Sequence, residues 1–315
     1  MINNCEDDDD DDDDNDGERI KASEFLSKET LEMLTLLGLN QDNNNNGDII
    51  FLNNGDPSRR DLHNLLATDP IDAVNVLKNE GVVRLNNILS TDLCDKCIIS
   101  ILNTLSLAIN EGTDHFGSSS KTVGNIDANY NRWDMFVNKS DISIAESYLS
   151  MFDNKNSVLN VIFHQLFDGL NAEVFEFGAL ISKNGATSQR IHSDTTYQSN
   201  CPLYTVFVAI QNVIEELGPT IFIKNSNNTI AHQNLRHKRT DYLSKAIYHQ
   251  ALLNQGDIVI MDSRTFHAGD KNTFGNRVLL YFTLLNPSFT DMGGGSKHDN
   301  INLTLHSLSK RSSFT

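Results

Sequence analysis

The 315-residue chain is poor in basic charge, in cysteine and in long apolar runs. With 25 Lys and Arg against 42 Asp and Glu, the formal net charge is -17, and no basic face is available to neutralise phosphates. Nucleic acid is therefore excluded as the expected partner. Ten of the acids are Glu6, the run Asp7 to Asp14, and Asp16; the other 32 leave the rest only mildly acidic. No apolar stretch approaches the ~20 residues that cross a bilayer, so no membrane span is expected. Four cysteines, Cys5, Cys94, Cys97 and Cys201, are too sparse for a disulfide framework and fit a reducing compartment. The first residues lack the positive start and apolar core of a signal peptide, and the closing Ser-Ser-Phe-Thr315 is no peroxisomal address. The expected localisation is cytoplasmic.

Residues 1–18 are a self-repelling acidic block and read as a disordered tail. Residues 19–66 read as a helical extension, with an amphipathic helix from Ala22 to Leu39 and an Asn-rich loop at Asn40 to Asn46. From residue 67 to 290 one large domain is expected, with 291–315 as a C-terminal tail. Asp69-Pro70 opens a helix to about Asn79, Gly81 to Leu85 is a short strand, and Ser90/Thr91 caps a second helix. The second half changes to short runs of Val, Ile, Phe and Leu: Ala172 to Ile181, Leu203 to Val213, Thr220 to Ile223, Asp257 to Asp262 and Arg277 to Leu285. Few helical patterns separate them, which favours an antiparallel β-sandwich or jelly roll behind N-terminal helices, mainly β within an α+β class.

Of the ten histidines, only His192 stands two residues before an acid, in His192-Ser193-Asp194. On an extended segment the period of two would turn both side chains to one face. His267, at the far end of the apolar strand Asp257 to Asp262, offers a third ligand. Two histidines and one carboxylate with open positions suit non-haem Fe(II) and oxygen activation, whereas structural zinc prefers four closed ligands. The alternative is a surface pair at 192 and 194 and a core histidine at 267. After His267 comes a turn-rich segment, Gly269 to Asn276, and then the apolar strand that Arg277 begins. A hairpin there returns Arg277 towards the metal, and a buried guanidinium calls for a carboxylate partner. An arginine at the strand's solvent end is the other reading.

His192-x-Asp194, His267 seventy-three residues later and Arg277 ten further on resemble the motif of the phytanoyl-CoA dioxygenase family of Fe(II)/2-oxoglutarate-dependent oxygenases. Gly81 to Ser90 is similar to the family's opening strand and helix, and Gly218 to Ser226 to its glycine-initiated strand. The turn Lys224-Asn225-Ser226-Asn227 departs from the family's usual Pro-Gly-Ser-His. The resemblance spans about residues 78–287. It implies a double-stranded β-helix (jelly roll) core, with Fe(II) held by His192, Asp194 and His267 as the catalytic set. It further implies Arg277 as clamp for the distal carboxylate of the cosubstrate 2-oxoglutarate, and a small-molecule substrate hydroxylated by O2 with release of succinate and CO2. Because Asp194 is present, halogenation is not expected.

Gln189 and Thr205 are further candidates for cosubstrate contact, Gln189 only if a bulge turns it from the opposite pleat. Tyr204 is a weaker one, and Trp133 beside Arg132 is a candidate for the substrate mouth against the plainer reading of a core tryptophan and a surface arginine. Cys94 and Cys97, at helical spacing, read as core residues, and His232 to Arg239 as a solvated basic loop. A non-catalytic β-barrel binding module and a cupin-like metalloenzyme without 2-oxoglutarate stand as the alternative functions. Substrate identity and oligomeric state are not legible in the sequence.

Overall fold

A computed structural model describes residues 59–110, 123–127, 131–153, 157–289, 303–308, 310 and 313. The acidic tail, the helix expected at 22–39 and the Asn-rich loop lie outside these residues.

Eleven strands among the described residues form two sheets. The smaller has the order β1 (Arg59–Asp61), β8 (Tyr248–Gln250), β7 (Thr220–Ile223), β10 (Phe266–Gly269). The larger runs β2 (Val82–Leu85), β9 (Ile258–Asp262), β6 (Leu203–Ala209), β11 (Asn276–Leu285), β5 (Glu173–Lys183), β4 (Arg132–Phe136), β3 (Val123–Asp127). All pairings are antiparallel except β1 with β8. Connections that skip between non-neighbours give the jelly-roll character expected of the second half.

The strands separate two environments by alternation. On β11, Leu280, Phe282 and Leu284 are buried, Phe282 against helix α3 (Ile142–Met151); α3 and the next helix, α4 (Val158–Leu166), are capped at their N-termini by Asp141 and Ser157. Phe282 meets Tyr148 at 5.1 Å and Phe152 at 5.8 Å between ring centroids, and Tyr148 stacks on Phe177 of β5 at 4.3 Å. The opposite rows, Tyr281 and Leu279 of β11 with Phe207 of β6 and Met261 of β9, meet Phe222 of the smaller sheet in a core that also holds Leu62. That core, and the pairing of Arg59 to Asp61 with β8, bring residues from 59 onward into the folded unit, ahead of the boundary expected at residue 67. At the other end, buried Leu303, Leu305 and Leu308 and a bridge between Glu173 and Thr304 dock part of the expected tail onto β5.

Helix α1 (Pro70–Glu80) starts where the Asp69 carboxylate accepts from the Asp72 amide at 2.7 Å, with Pro70 in its first turn. It stops at Gly81, whose φ of 79° is open to glycine and where a Cβ would collide with the Thr265 hydroxyl. Helix α2 (Thr91–Asn110) buries Cys94 and Cys97 completely; burial drives their thiols up to about 12 and about 11, which makes them inert packing groups. The stretch read as a solvated basic loop is instead two short helices, α5 (Thr229–His237) and α6 (Arg239–Lys245). Asn228 caps the first, and Ala231, Leu235, Tyr242 and Leu243 pack on Ile223 and Phe266, an apolar row interspersed with the basic residues. Among the described residues no helix is long and apolar enough to cross a membrane.

One buried ion pair fastens β2 to the loop before β9. Arg84 donates to Asp257 at 2.6 Å and to the Leu252 carbonyl at 2.8 Å, while Asp257 also accepts from the amides of Asn87 and Asn254, each at 3.0 Å. Removing one member strands a buried charge. Asp257→Ala is expected to cost about 3–5 kcal/mol of unfolding free energy, read from the shift of the urea midpoint; replacing both residues by apolar side chains should cost less.

Candidate metal centre

Residues 184–202 form no regular strand, so His192 and Asp194 owe their direction to partners rather than to a pleat. His192 and His267 exchange backbone hydrogen bonds, His192 N to His267 O at 3.0 Å and His267 N to His192 O at 2.8 Å. Directly opposed residues of this kind turn their side chains to one side, and the two rings lie 4.5 Å apart. Two residues on, the Asp194 amide donates to the Ser263 carbonyl at 2.9 Å. The turn that holds Ser263 is pinned by Arg264. Its guanidinium grips Asp262 at 2.5 Å and donates to the carbonyls of Gln198 and Ser199 at 2.8 and 2.9 Å.

The result brings three ligand atoms within 4.8 Å of one another. His192 Nε2 lies 3.8 Å and His267 Nε2 3.4 Å from Asp194 Oδ1. Each ring's Nδ1 faces a carbonyl two residues earlier, Arg190 O at 2.8 Å and Thr265 O at 3.1 Å. A carbonyl only accepts, so the Nδ1 of each ring is its donor, and Nε2 is the atom left beside Asp194 to bind a metal. Burial holds His267 below the ordinary imidazole range, with Asp194 opposing and His192 reinforcing the shift. The neutral ring that results is the metal-binding form.

A cavity of about 410 Å³ opens beside the three ligands, between the two sheets, within the usual range for small-molecule sites. Arg277 lies in its wall, 3% exposed. One of its nitrogens donates to the Gly218 carbonyl; Gly218 has φ of 69°, and a Cβ there would come within 2.5 Å of the Asp270 and Lys271 carbonyl oxygens. The Arg277 Nε has no hydrogen-bond partner, and among the described residues no carboxylate forms an ion pair with it. Burial, and then the neighbouring charge of Arg132, lowers its pKa to about 9. An anion entering the cavity relieves all three penalties. The nearest candidate within the chain, Asp270, is already committed to Arg59 at 2.7 Å and to the Ser188 hydroxyl at 2.7 Å.

Gln189 also lines the cavity. No regular pleat directs it; its backbone amide donates to Gly269 O at 2.9 Å and its side-chain oxygen accepts from Gly269 N at 2.8 Å. Thr205 lines the cavity with its hydroxyl 3.1 Å from that of Thr283. Tyr204 points to the other face, against Phe167. The plain expectation for residues 132 and 133 is reversed. Arg132 is buried and caps the carbonyls of Thr187 and Asp270, while Trp133 is half-buried beneath the Lys183 ammonium at 4.6 Å.

Asp134, Glu176, Tyr281 and Thr283 are among the cavity residues that the sequence reading did not single out. The period of two from Arg277 points to Tyr281 and Thr283, and Glu176 is flanked by phenylalanines within an apolar run; both signals are in the sequence.

Residues 143–276 match the family model described as phytanoyl-CoA dioxygenase (PhyH). The match contains His192, Asp194 and His267 and stops one residue before Arg277. No curated protein matches the chain. Among solved structures, AviO1 from Streptomyces viridochromogenes Tue57 is similar at a TM-score of 0.51 and 13% identity, covering 72% of this chain and 99% of that one, and shares the fold. Two others fall lower. The non-heme alpha ketoglutarate dependent carbocyclase SnoK from nogalamycin biosynthesis has a TM-score of 0.48 and 15% identity, over 72% of this chain and 87% of that chain. HygX from Streptomyces hygroscopicus, with nickel and 2-oxoglutarate bound, has 0.47 and 12%, over 72% and 95%. The segment similar to the phytanoyl-CoA dioxygenase family, 143–276, carries all three ligand candidates.

Proposed function

We propose that this protein is an Fe(II)- and 2-oxoglutarate-dependent dioxygenase that hydroxylates a small organic substrate, releasing succinate and CO2. One observation carries the reading: a two-histidine, one-carboxylate set shares its cavity with a buried guanidinium that lacks a counterion. His192, Asp194 and His267 would hold the iron on one side and leave the opposite side for ligands. Bound iron supplies oxygen activation, driven by oxidative decarboxylation of the 2-oxo acid.

The protein's own share is positioning and charge. Arg277 would take the distal carboxylate of 2-oxoglutarate through its free Nε and a second nitrogen, which fixes the other end of the diacid towards the metal. The Nδ1 hydrogen bonds to Arg190 and Thr265 hold both rings in the ligating tautomer and orientation. Gln189 and Thr205 lie in the same wall, in place to touch cosubstrate or substrate. A cupin-like metalloenzyme without a diacid leaves the orphaned Nε of Arg277 unexplained, and a binding module leaves the convergence of two imidazoles and a carboxylate without a purpose.

Two outcomes test this. Succinate formation from 2-oxoglutarate should require added Fe(II) and vanish when His192 and His267 are both changed to Ala; turnover that persists in that variant removes the oxygenase reading. Arg277→Ala should raise the 2-oxoglutarate concentration for half-maximal turnover by about ten- to a hundredfold, the ~1.5–3 kcal/mol of hydrogen bonds to a charged group, with the iron requirement unchanged.

A further inference from the structure

We infer that the cavity selects an organic cation, a substrate bearing a protonated amine on an apolar skeleton, with Asp134 and Glu176 as its counterions. The inference rests on the oxygenase reading for its chemistry but on separate residues for its recognition.

The buried carboxylates outside the cavity each have an arginine: Asp257 with Arg84 at 2.6 Å, Asp262 with Arg264 at 2.5 Å and Asp270 with Arg59 at 2.7 Å. Of the three carboxylates that line it, Asp194 is a metal-ligand candidate, and the other two, Asp134 and Glu176, are half-buried and have no such partner. Asp134 accepts only a hydroxyl bond, from Tyr281 at 2.9 Å, and Glu176 only one, from Thr283 at 3.3 Å. Among the described residues no Lys, Arg or His forms an ion pair with either.

Register explains why both face inward. Glu176 pairs with Thr283 and Asp134 with Leu180, so the two acids stand on the cavity rows of neighbouring strands β5 and β4. Leu180, Leu203 and Phe207 supply apolar wall beside them. Arg277, the free cation of the same cavity, is spoken for by the diacid, so the pocket has one anion-seeking and one cation-seeking part.

Charge placed this way is costly while the cavity lacks a cation. Burial raises Asp134 to about 6 and Glu176 to about 7, and repulsion from Asp134 and Asp194 adds to the latter. A second metal is a poor occupant, since the only grouping of three or more metal-ligating side chains among the described residues is the triad itself. An ammonium needs no such set. It donates up to three hydrogen bonds and accepts two carboxylates as partners.

The test uses the full chain under anaerobic conditions with Fe(II) and 2-oxoglutarate. A visible charge-transfer band on mixing reports the metal–cosubstrate centre and nothing about the acids. Calorimetry then compares phenethylamine, cyclohexylamine and putrescine with their alcohol counterparts at pH 7. At least one amine is expected to bind about tenfold or more tightly than its alcohol, and Glu176→Gln and Asp134→Asn should each remove most of that preference while leaving alcohol binding as it was. If no amine exceeds its alcohol in the wild-type protein, the inference is overturned without recourse to any variant. A preference that survives both substitutions overturns it too. A missing band with amine preference intact would instead sink the oxygenase reading alone.

Discussion

Two backbone hydrogen bonds between His192 and His267 are the constraint on which the site depends. They join an irregular segment to the edge of a four-stranded sheet, and no other regular pairing fixes His192. From that pair the rest follows by short steps. Asp194 is hung from the Ser263 carbonyl, Ser263 is set by the Arg264–Asp262 clamp, and each imidazole is turned by the carbonyl two residues before it. The ligands sit on a frame of backbone bonds, which resists rotation better than side-chain contacts alone.

The cavity is a place where charge is held against its preference. Arg277 is pushed down to about 9, and Asp134 and Glu176 are pushed up to about 6 and about 7. Elsewhere in the core the same kinds of group are paired and capped, as Arg84 and Asp257 are. Unpaired charge of both signs in one cavity, beside a set of metal-competent ligands, is the pattern of a site that waits for ligands of both signs.

Much of this was legible. The runs at 172–181, 220–223, 257–262 and 277–285 lie within a residue or two of β5, β7, β9 and β11, because apolar runs between turn formers are a local signal. The triad and Arg277 were legible as a spacing; the hairpin expected before Arg277 is instead a crossover, since β10 pairs with β7 in the smaller sheet and β11 with β5 and β6 in the larger. Other elements were not. The strand at Arg59–Asp61 is three residues long and is defined only by its partner β8. The helices at 229–245 were hidden by their basic residues, and the burial of Arg132 by a neighbouring tryptophan that drew the core assignment to itself.

The sequence by itself determined the ligand types, the order in which they occur and the alternation that gives each strand an inner and an outer row, since these depend on residues a few positions apart. Only the tertiary structure decided which of those rows enclose a cavity, and that Asp134 and Glu176 stand in its wall without a cation. Pairing of β4 with β5 joins residues 42 to 50 positions apart and pairing of β5 with β11 residues 93 to 112 apart, and the cost of a buried charge is set by what that pairing brings, or fails to bring, beside it.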